Sequence, residues 1–521
     1  MKKNILLLIL CWIGYTASAQ NKDFSSAKKL QTAEYLIHKL YVDSLDEKAL
    51  VESAIRGMLS TLDPHSSYST PEEVKSFKES MEGEFVGIGI QYQVLSDTVY
   101  VVKLIKDGPA AKAGLLPGDR IVKVNNTPLS VGQSASSVSK LFRGSKGSRL
   151  SVSVLRGNSS PEQVLTIKRN SVPVQTLMAS YMLTPQIGYI QLSQFGRYSH
   201  AEFITALKQL EKRNMTSLIL DLRGNSGGLL NVAIDIANEF LKAKERIVYA
   251  KGKNVDLGSF YAKGNGQFKQ GRLIILQDEA SASASEILAG AIQDWDRGLI
   301  MGRRSFGKGL VQRPIDLDDG SMIRLTIARY FTPSGRYIQR PYEKGSVGQK
   351  NYRKDLLERL DRGELIHADS IHQVDSLQFY TLKRQRMVYG GGGIMPDVFV
   401  PVNALYLDTV FQKVIRSQAY QGAYLSYITE QRSALLSEYA LEKYISSYSV
   451  PAWLTRKAIG TATRQDITKE INRILKALIG RSLYGDEAYY RLINGDDAVI
   501  KKAVEIIESG RYLQFLGPTL L

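Results

Sequence analysis

Cysteine is almost missing from this chain: 521 residues contain one, Cys11. It falls in the first nineteen residues, which are laid out as an export signal. Lys2 and Lys3 form a charged start, Ile5 to Ile13 an apolar core, and Ala17-Ser18-Ala19 a small-residue cleavage site before Gln20. Leu10, ahead of Cys11, is too large for a lipoprotein cleavage site, so no lipid anchor is expected. A chain cut after Ala19 carries no thiol, which excludes disulfides and suits an exported, periplasmic protein that folds without oxidation. Long hydrophobic runs are also lacking. The signal core is too short to span a bilayer, and nothing later resembles a transmembrane helix. There are five histidines, no Cys/His spacing suited to a metal, no heptad run and no internal repeat. No metal or cofactor is therefore expected. Acidic residues are in deficit, 51 against 68 Lys and Arg, giving a formal charge of +17. The excess is scattered and mixed in sign, as at Lys208, Glu211, Lys212 and Arg213, with no basic block. Nucleic acid is not expected as a partner, and weak attraction to an anionic membrane surface is the most that this surplus supports.

The length exceeds what one core can bury, so two to four domains are expected. The stretch richest in chemistry is S-A-S-A-S-E-I, Ser281 to Ile287. It lies between an apolar strand (Leu273 to Leu276) and a helical stripe of Ile287, Leu288, Ala291, Ile292 and Trp295. Strand, tight turn and helix place a serine hydroxyl at a helix N-terminus, where backbone N–H groups and the positive dipole end favour a developing oxyanion. The same position also suits a plain helix cap. Further on, Lys308 stands in F-G-K-G-L-V-Q, with Gly307 and Gly309 permitting close packing among Phe306, Leu310 and Val311. A lysine can serve a serine as base when desolvation lowers its pKa toward neutrality; alone it reads as a surface lysine.

Seven motifs occur together in a familiar order: L-D-P-H-S-S-Y (Leu62 to Tyr68), G-E-F-V-G-I-G-I (Gly83 to Ile90), G-P-A-A-K-A-G-L-L-P-G-D (Gly108 to Asp119), D-L-R-G-N-S-G-G (Asp221 to Gly228), S-A-S-A-S-E-I, F-G-K-G-L-V-Q (Phe306 to Gln312) and G-G-I-M-P-D (Gly392 to Asp397). In these the chain resembles the carboxy-terminal processing proteases, the tail-specific serine peptidases of family S41. The resemblance runs from about residue 60 to about residue 400. It implies that Ser283 is the nucleophile, Lys308 the base and Gln312 the residue that orients the lysine. It also implies an oxyanion hole made by the amide of Ala284 with that of Gly227 or Gly228.

The expected architecture is multidomain α+β. After the signal (1–19) comes an N-terminal helical region (20–82), with stripes Leu30, Ala33, Tyr35, Leu36, Leu40 and Leu50, Ala54, Met58, Leu59. His65 follows Asp63-Pro64 and reads as a turn histidine. Residues 83–169 alternate short strands with glycine turns and resemble a PDZ domain. Such a domain takes a peptide carboxy-terminus on loop amides, here those of Phe85, Val86, Gly87, Ile88 and Gly89. Residues 170–400 alternate strands and helices as an α/β protease core, crotonase-like by the resemblance. G-N-S-G-G (Gly224 to Gly228) precedes a helix over Leu229 to Leu241 and lacks the spacing of a nucleotide-binding loop. Residues 341–390 read as a polar insertion with a helix near Arg353 to Leu360 and no assigned chemistry. Residues 401–521 read as helices that pack on the core or form a homodimer.

The expected function is cleavage of proteins with exposed, apolar carboxy-terminal tails through a Ser-Lys dyad and an acyl-enzyme. A non-catalytic PDZ adaptor on the same scaffold is a second reading. A third, an ester hydrolase using histidine, finds no histidine near Ser283 or Gly224 to Gly228 in sequence.

Overall fold

The computed structural model describes residues 26–95, 98–129, 134–157, 161–371, 377–460 and 464–517. The export-signal reading of residues 1–19 lies outside them. No helix among the described residues is long and apolar enough to cross a membrane. The chain divides into two compact units. One comprises residues up to Pro71 with Arg313–Thr326 and Tyr342–Tyr352; the other comprises Glu72–Gln312, Ile327–Pro341 and Arg353–Leu521.

In the first unit residues 26–40 are helical, and a second helix, Glu47–Ser60, starts where the Asp46 carboxylate accepts the Ala49 N–H. Asp63 then organises the turn. Its Oδ1 accepts from the His65 and Ser66 amides and from Thr326 Oγ1, and its Oδ2 accepts from Ser66 Oγ. The strand Ser67–Ser69 pairs antiparallel with Met322–Arg324. His65 Nε2 lies 3.0 Å from Tyr352 Oη, with the rings edge to face. This is a structural pairing.

The second unit contains two sheets that matter for function. Ile90–Leu95, Thr98–Leu104, Arg120–Val124, Arg149–Leu155 and Gln163–Lys168 form an antiparallel sheet in that order. Its buried face (Val99, Val101, Ile121, Leu150, Val152, Val154) is closed by Val138 and Phe142 of the helix Ala135–Phe142. The run V-G-I-G-I-Q-Y reads as one strand but is broken at Gly89, whose φ of +76° only glycine adopts readily. Glu84–Gly87 pairs instead with Asn170–Pro173, outside the main sheet.

The other sheet runs Leu177–Met182, Ile187–Leu192, Ser217–Asp221, Arg272–Gln277, Leu299–Gly302, Val398–Phe399, parallel throughout except for the first strand. Parallel strands buried on both faces need continuous apolar runs, and S-L-I-L-D and R-L-I-I-L-Q supply them. One face packs against the helices Ser199–Glu211, Leu230–Asn238 and Ala284–Asp294. The opposite face is covered by the far end of the chain: Val499, Ile500, Ala503, Ile506 and Ile507 of the helix Ala498–Glu508, then Tyr512 and Leu516. Tyr512 Oη donates to the Leu273 carbonyl and accepts the Leu273 N–H.

The remaining C-terminal helices form their own core and meet the antiparallel sheet through Leu95, Tyr100 and Val102. Thr429 Oγ1 donates to the Gly118 carbonyl at 2.6 Å, and Lys103 is ion-paired with Asp486. The C-terminal region therefore packs on both the parallel sheet and the antiparallel sheet. Residues 341–390 hold a longer helix than expected, Gly345–Asp361, and a small ribbon of Gln378–Tyr380 with Met387–Tyr389.

Candidate active site

The strand Arg272–Gln277 delivers the chain to the turn carrying Ser281, Ser283 and Ser285, and the buried helix Ala284–Asp294 begins at once. Ser283 is half-buried with φ +54° and ψ −110°, a conformation that costs a non-glycine residue about 1–3 kcal/mol. Its neighbours hold it there. Ser281 Oγ donates to the Leu222 carbonyl and Ser285 Oγ to the Asn225 carbonyl, both at 2.8 Å, while the Ala282 N–H donates to the Asn225 carbonyl. These two serines thus tie the serine turn to the G-N-S-G-G turn.

Gly227 and Gly228 face that junction. A Cβ on Gly227 would lie 2.9 Å from Ser283 Cβ and 3.0 Å from the Ala284 nitrogen, so only a bare backbone can approach the serine so closely. The Gly227 N–H is already given to Asn225 Oδ1 at 2.9 Å. The N–H groups of Gly228 and Ala284 make no hydrogen bond to another described residue. Asp278 Oδ1 accepts the Gly224 N–H from the other side of the turn, and burial, with Glu279 alongside, raises its carboxyl above the usual range.

Lys308 reaches this centre through its backbone. Glu286, fully buried in the first turn of the helix, accepts four hydrogen bonds. Oε2 takes the Ser283 N–H at 2.8 Å and the Lys308 N–H at 2.9 Å; Oε1 takes Ser305 Oγ and the Gly307 N–H, each at 2.6 Å. Burial raises the carboxyl of Glu286, and the four donors oppose that rise. Tyr330 makes a second bridge, its hydroxyl lying within hydrogen-bond reach of the Ser283 and Lys308 carbonyls. Gln339, also buried, accepts the Gly309 N–H at 2.9 Å. Gln312 follows half-buried on the strand Leu310–Asp316. The clamp was hidden in sequence: a glutamate in a first helical turn reads as a dipole partner, and nothing in the spacing marks Tyr330 or Gln339.

Phe85, Gly87, Ile88 and Gly89 line a separate cavity of about 150 Å³ together with Tyr92, Phe142 and Arg143; Val86 is not among its lining residues. The Phe85 ring folds over Gly87, and Tyr92 meets Phe142 edge to face at 5.3 Å. Arg143 lies over Phe85 and is ion-paired with Glu79. Tyr92 and Arg143 belong to this groove without having stood out in sequence.

Family models match in three places: peptidase family S41 over residues 186–344, the PDZ domain over 86–167, and the N-terminal domain of the activating protease CtpB over 13–72. The carboxy-terminal processing protease CtpB of Bacillus subtilis is 34% identical over 328 residues, 62% of this chain and 68% of that protein. This chain belongs to peptidase family S41, the carboxy-terminal processing proteases. A second processing protease, from Bartonella bacilliformis, is 39% identical over 304 residues, 57% of this chain and 69% of its own length. The photosystem II D1 C-terminal processing protease is similar among solved structures, at 31% identity and a TM-score of 0.35, covering 59% of this chain and 82% of that one. As a processing protease of this family the chain is a serine-type peptidase with a PDZ domain. Among its described residues no group of three or more His, Cys, Asp or Glu is arranged to hold a metal ion.

Proposed function

We propose that this S41 protease is an endopeptidase that uses Ser283 as nucleophile and Lys308 as base. The observation that carries the reading is the Glu286 carboxylate, one oxygen of which binds the backbone amides of both residues. Ser283 Oγ attacks the peptide carbonyl while neutral Lys308 takes its proton. The lysine gives that proton to the leaving amine, so that the C–N bond breaks and an acyl-enzyme remains. Water, deprotonated by the same lysine, then hydrolyses the ester. Gln312 orients Lys308. The oxyanion is received by the Ala284 N–H and, because the Gly227 N–H is engaged by Asn225, by the Gly228 N–H. The PDZ loop of Phe85 to Gly89 takes the substrate's terminal carboxylate, and the 150 Å³ cavity takes a terminal apolar side chain. An export signal at residues 1–19 would put this reaction in the periplasm.

Purified protein, Ser283→Ala and Lys308→Ala are compared on fluorescein-labelled casein. Cleavage is expected from the unmodified protein alone, with each variant slower by about 10⁴- to 10⁶-fold. Hydrolysis that survives Lys308→Ala would require another base and would sink the dyad.

A further inference from the structure

The four residues Ser305 to Lys308 have every backbone polar group matched to a partner. Ser305 N–H goes to the Ile394 carbonyl, Phe306 N–H to the Ser281 carbonyl, and the Gly307 and Lys308 N–H groups to Glu286. On the carbonyl side, Gly307 accepts from the Arg340 N–H and Lys308 from Tyr330 Oη. The last two carbonyls, of Ser305 and Phe306, accept from Nη1 and Nη2 of Arg359 at 2.9 and 3.1 Å. Arg359 comes from the helix Gly345–Asp361, in the segment to which sequence assigned no chemistry, and it is 2% exposed.

We propose that Arg359 is a positioning residue of the peptidase centre, holding the carbonyl side of the Lys308 loop as Glu286 holds its amide side. This rests on the Ser283–Lys308 reading. An anion gathers the positive ends of the peptide dipoles and a cation gathers the negative ends, so the loop is fixed between opposite charges. The guanidinium fork suits two neighbouring carbonyls as an ammonium does not. Asp355, four residues earlier on the same helix, is ion-paired with it at 2.8 Å from Nε, which makes no hydrogen bond among the described residues, and is also ion-paired with Arg340. The Arg340 guanidinium lies 4.1 Å from the centre of the Phe306 ring, so Asp355 fixes two cations around one loop. Burial, with Arg304 close by, pushes Arg359 down to about 10, which still leaves it charged at neutral pH. A charge in so dry a place is offset by acceptors, and two of its acceptors are these carbonyls. They precede Lys308 by three and two residues, so a rotation of either peptide moves the lysine. A displacement of about 1 Å in a catalytic group costs about 100-fold in rate.

The test measures casein hydrolysis by unmodified protein, Ser283→Ala, Arg359→Ala, Arg359→Lys and Asp355→Asn, with thermal unfolding followed in parallel. Arg359→Ala is expected to lower the maximal rate 10- to 100-fold while the half-saturating casein concentration stays within twofold. Guanidinium at tens of millimolar is expected to recover part of that rate and to leave the rate of the unmodified protein unchanged. Arg359→Lys is expected to fall between the two. If Arg359→Ala yields no folded protein, a 3- to 10-fold lower maximal rate in folded Asp355→Asn carries the same result, and an unchanged rate there overturns it. A folded Arg359→Ala with the unmodified rate overturns the proposal. So does a loss that follows the melting temperature and is deaf to both guanidinium and lysine. Failure of the unmodified protein to outpace Ser283→Ala would instead sink the dyad reading, and this inference with it.

Discussion

Glu286→Gln is expected to reduce the maximal rate of peptide hydrolysis by about 100-fold or more and to lower the resistance of the fold to unfolding. Each oxygen of Glu286 accepts two hydrogen bonds, so all four lone-pair positions of the carboxylate are occupied. An amide keeps one oxygen and replaces the other by a donor. Whichever way it turns, at least one backbone N–H then faces an N–H. Charge-assisted bonds of this kind are worth about 1.5–3 kcal/mol each, and the abandoned donors stay buried, so a loss of about 3–6 kcal/mol is expected. If the amide nitrogen faces the Ser283 and Lys308 amides, the rate suffers most, because those two residues lose their common tether. The experiment compares turnover and thermal unfolding in the same samples. A Glu286→Gln enzyme within threefold of the unmodified rate would show that the clamp does not set the dyad.

The second large effect separates two glycines of one turn. Gly228→Ala is expected to cut turnover by about 100- to 1000-fold, the value of one oxyanion donor, whereas Gly224→Ala should cost little activity. Gly228 has φ +144°, and a Cβ there would stand 2.3 Å from the Phe195 carbonyl oxygen, so the peptide carrying its N–H has to move. Gly224 also has a positive φ, +71°, but a Cβ would meet nothing within 4 Å. Its substitution carries only backbone strain of about 1–2 kcal/mol. Steady-state kinetics decide the matter. Equal losses in the two variants would mean that strain alone matters in this turn and would remove Gly228 from the oxyanion hole.

Much of this was legible in the residues themselves. The apolar runs of Leu218 to Leu220 and Leu273 to Leu276 announced buried strands, and the small residues of S-A-S-A-S announced a sharp turn into a helix. Only resemblance favours a nucleophile over a helix cap for Ser283, since both readings need the same local pattern. The helix bounds were less exact. The expected Leu229–Leu241 helix proved to be Leu230–Asn238: the Glu239 and Phe240 N–H groups reach back only three residues, to the Ile236 and Ala237 carbonyls, and the Glu239 carbonyl accepts the Phe268 N–H. Partners distant along the chain could not be read at all. Arg359 is an ordinary cation in a polar stretch until folding sets it against the carbonyls of Ser305 and Phe306. Similarly, Val499, Ile500 and Ile506 show an apolar helical face, but not that it belongs on the sheet that carries Ser283.

That last placement bears on when the enzyme comes into being. The helix Ala498–Glu508 and Tyr512 lie at the very end of the described chain, yet they pack on the strands Arg272–Gln277 and Leu299–Gly302 at the middle of the parallel sheet. Asp497, the residue that starts this helix, also pairs with Arg223, next to the turn of Gly224 to Gly228. Burying each large apolar side chain of this kind stabilises by about 1.5–3 kcal/mol, so the sheet lacks several such contributions until the terminus arrives. A chain truncated before Asp497 is therefore expected to be inactive on casein and to bind a hydrophobic dye; full activity of that truncated protein would contradict it. Because synthesis proceeds from the N-terminus, a nascent copy holds Ser283 and Lys308 long before it owns a finished sheet.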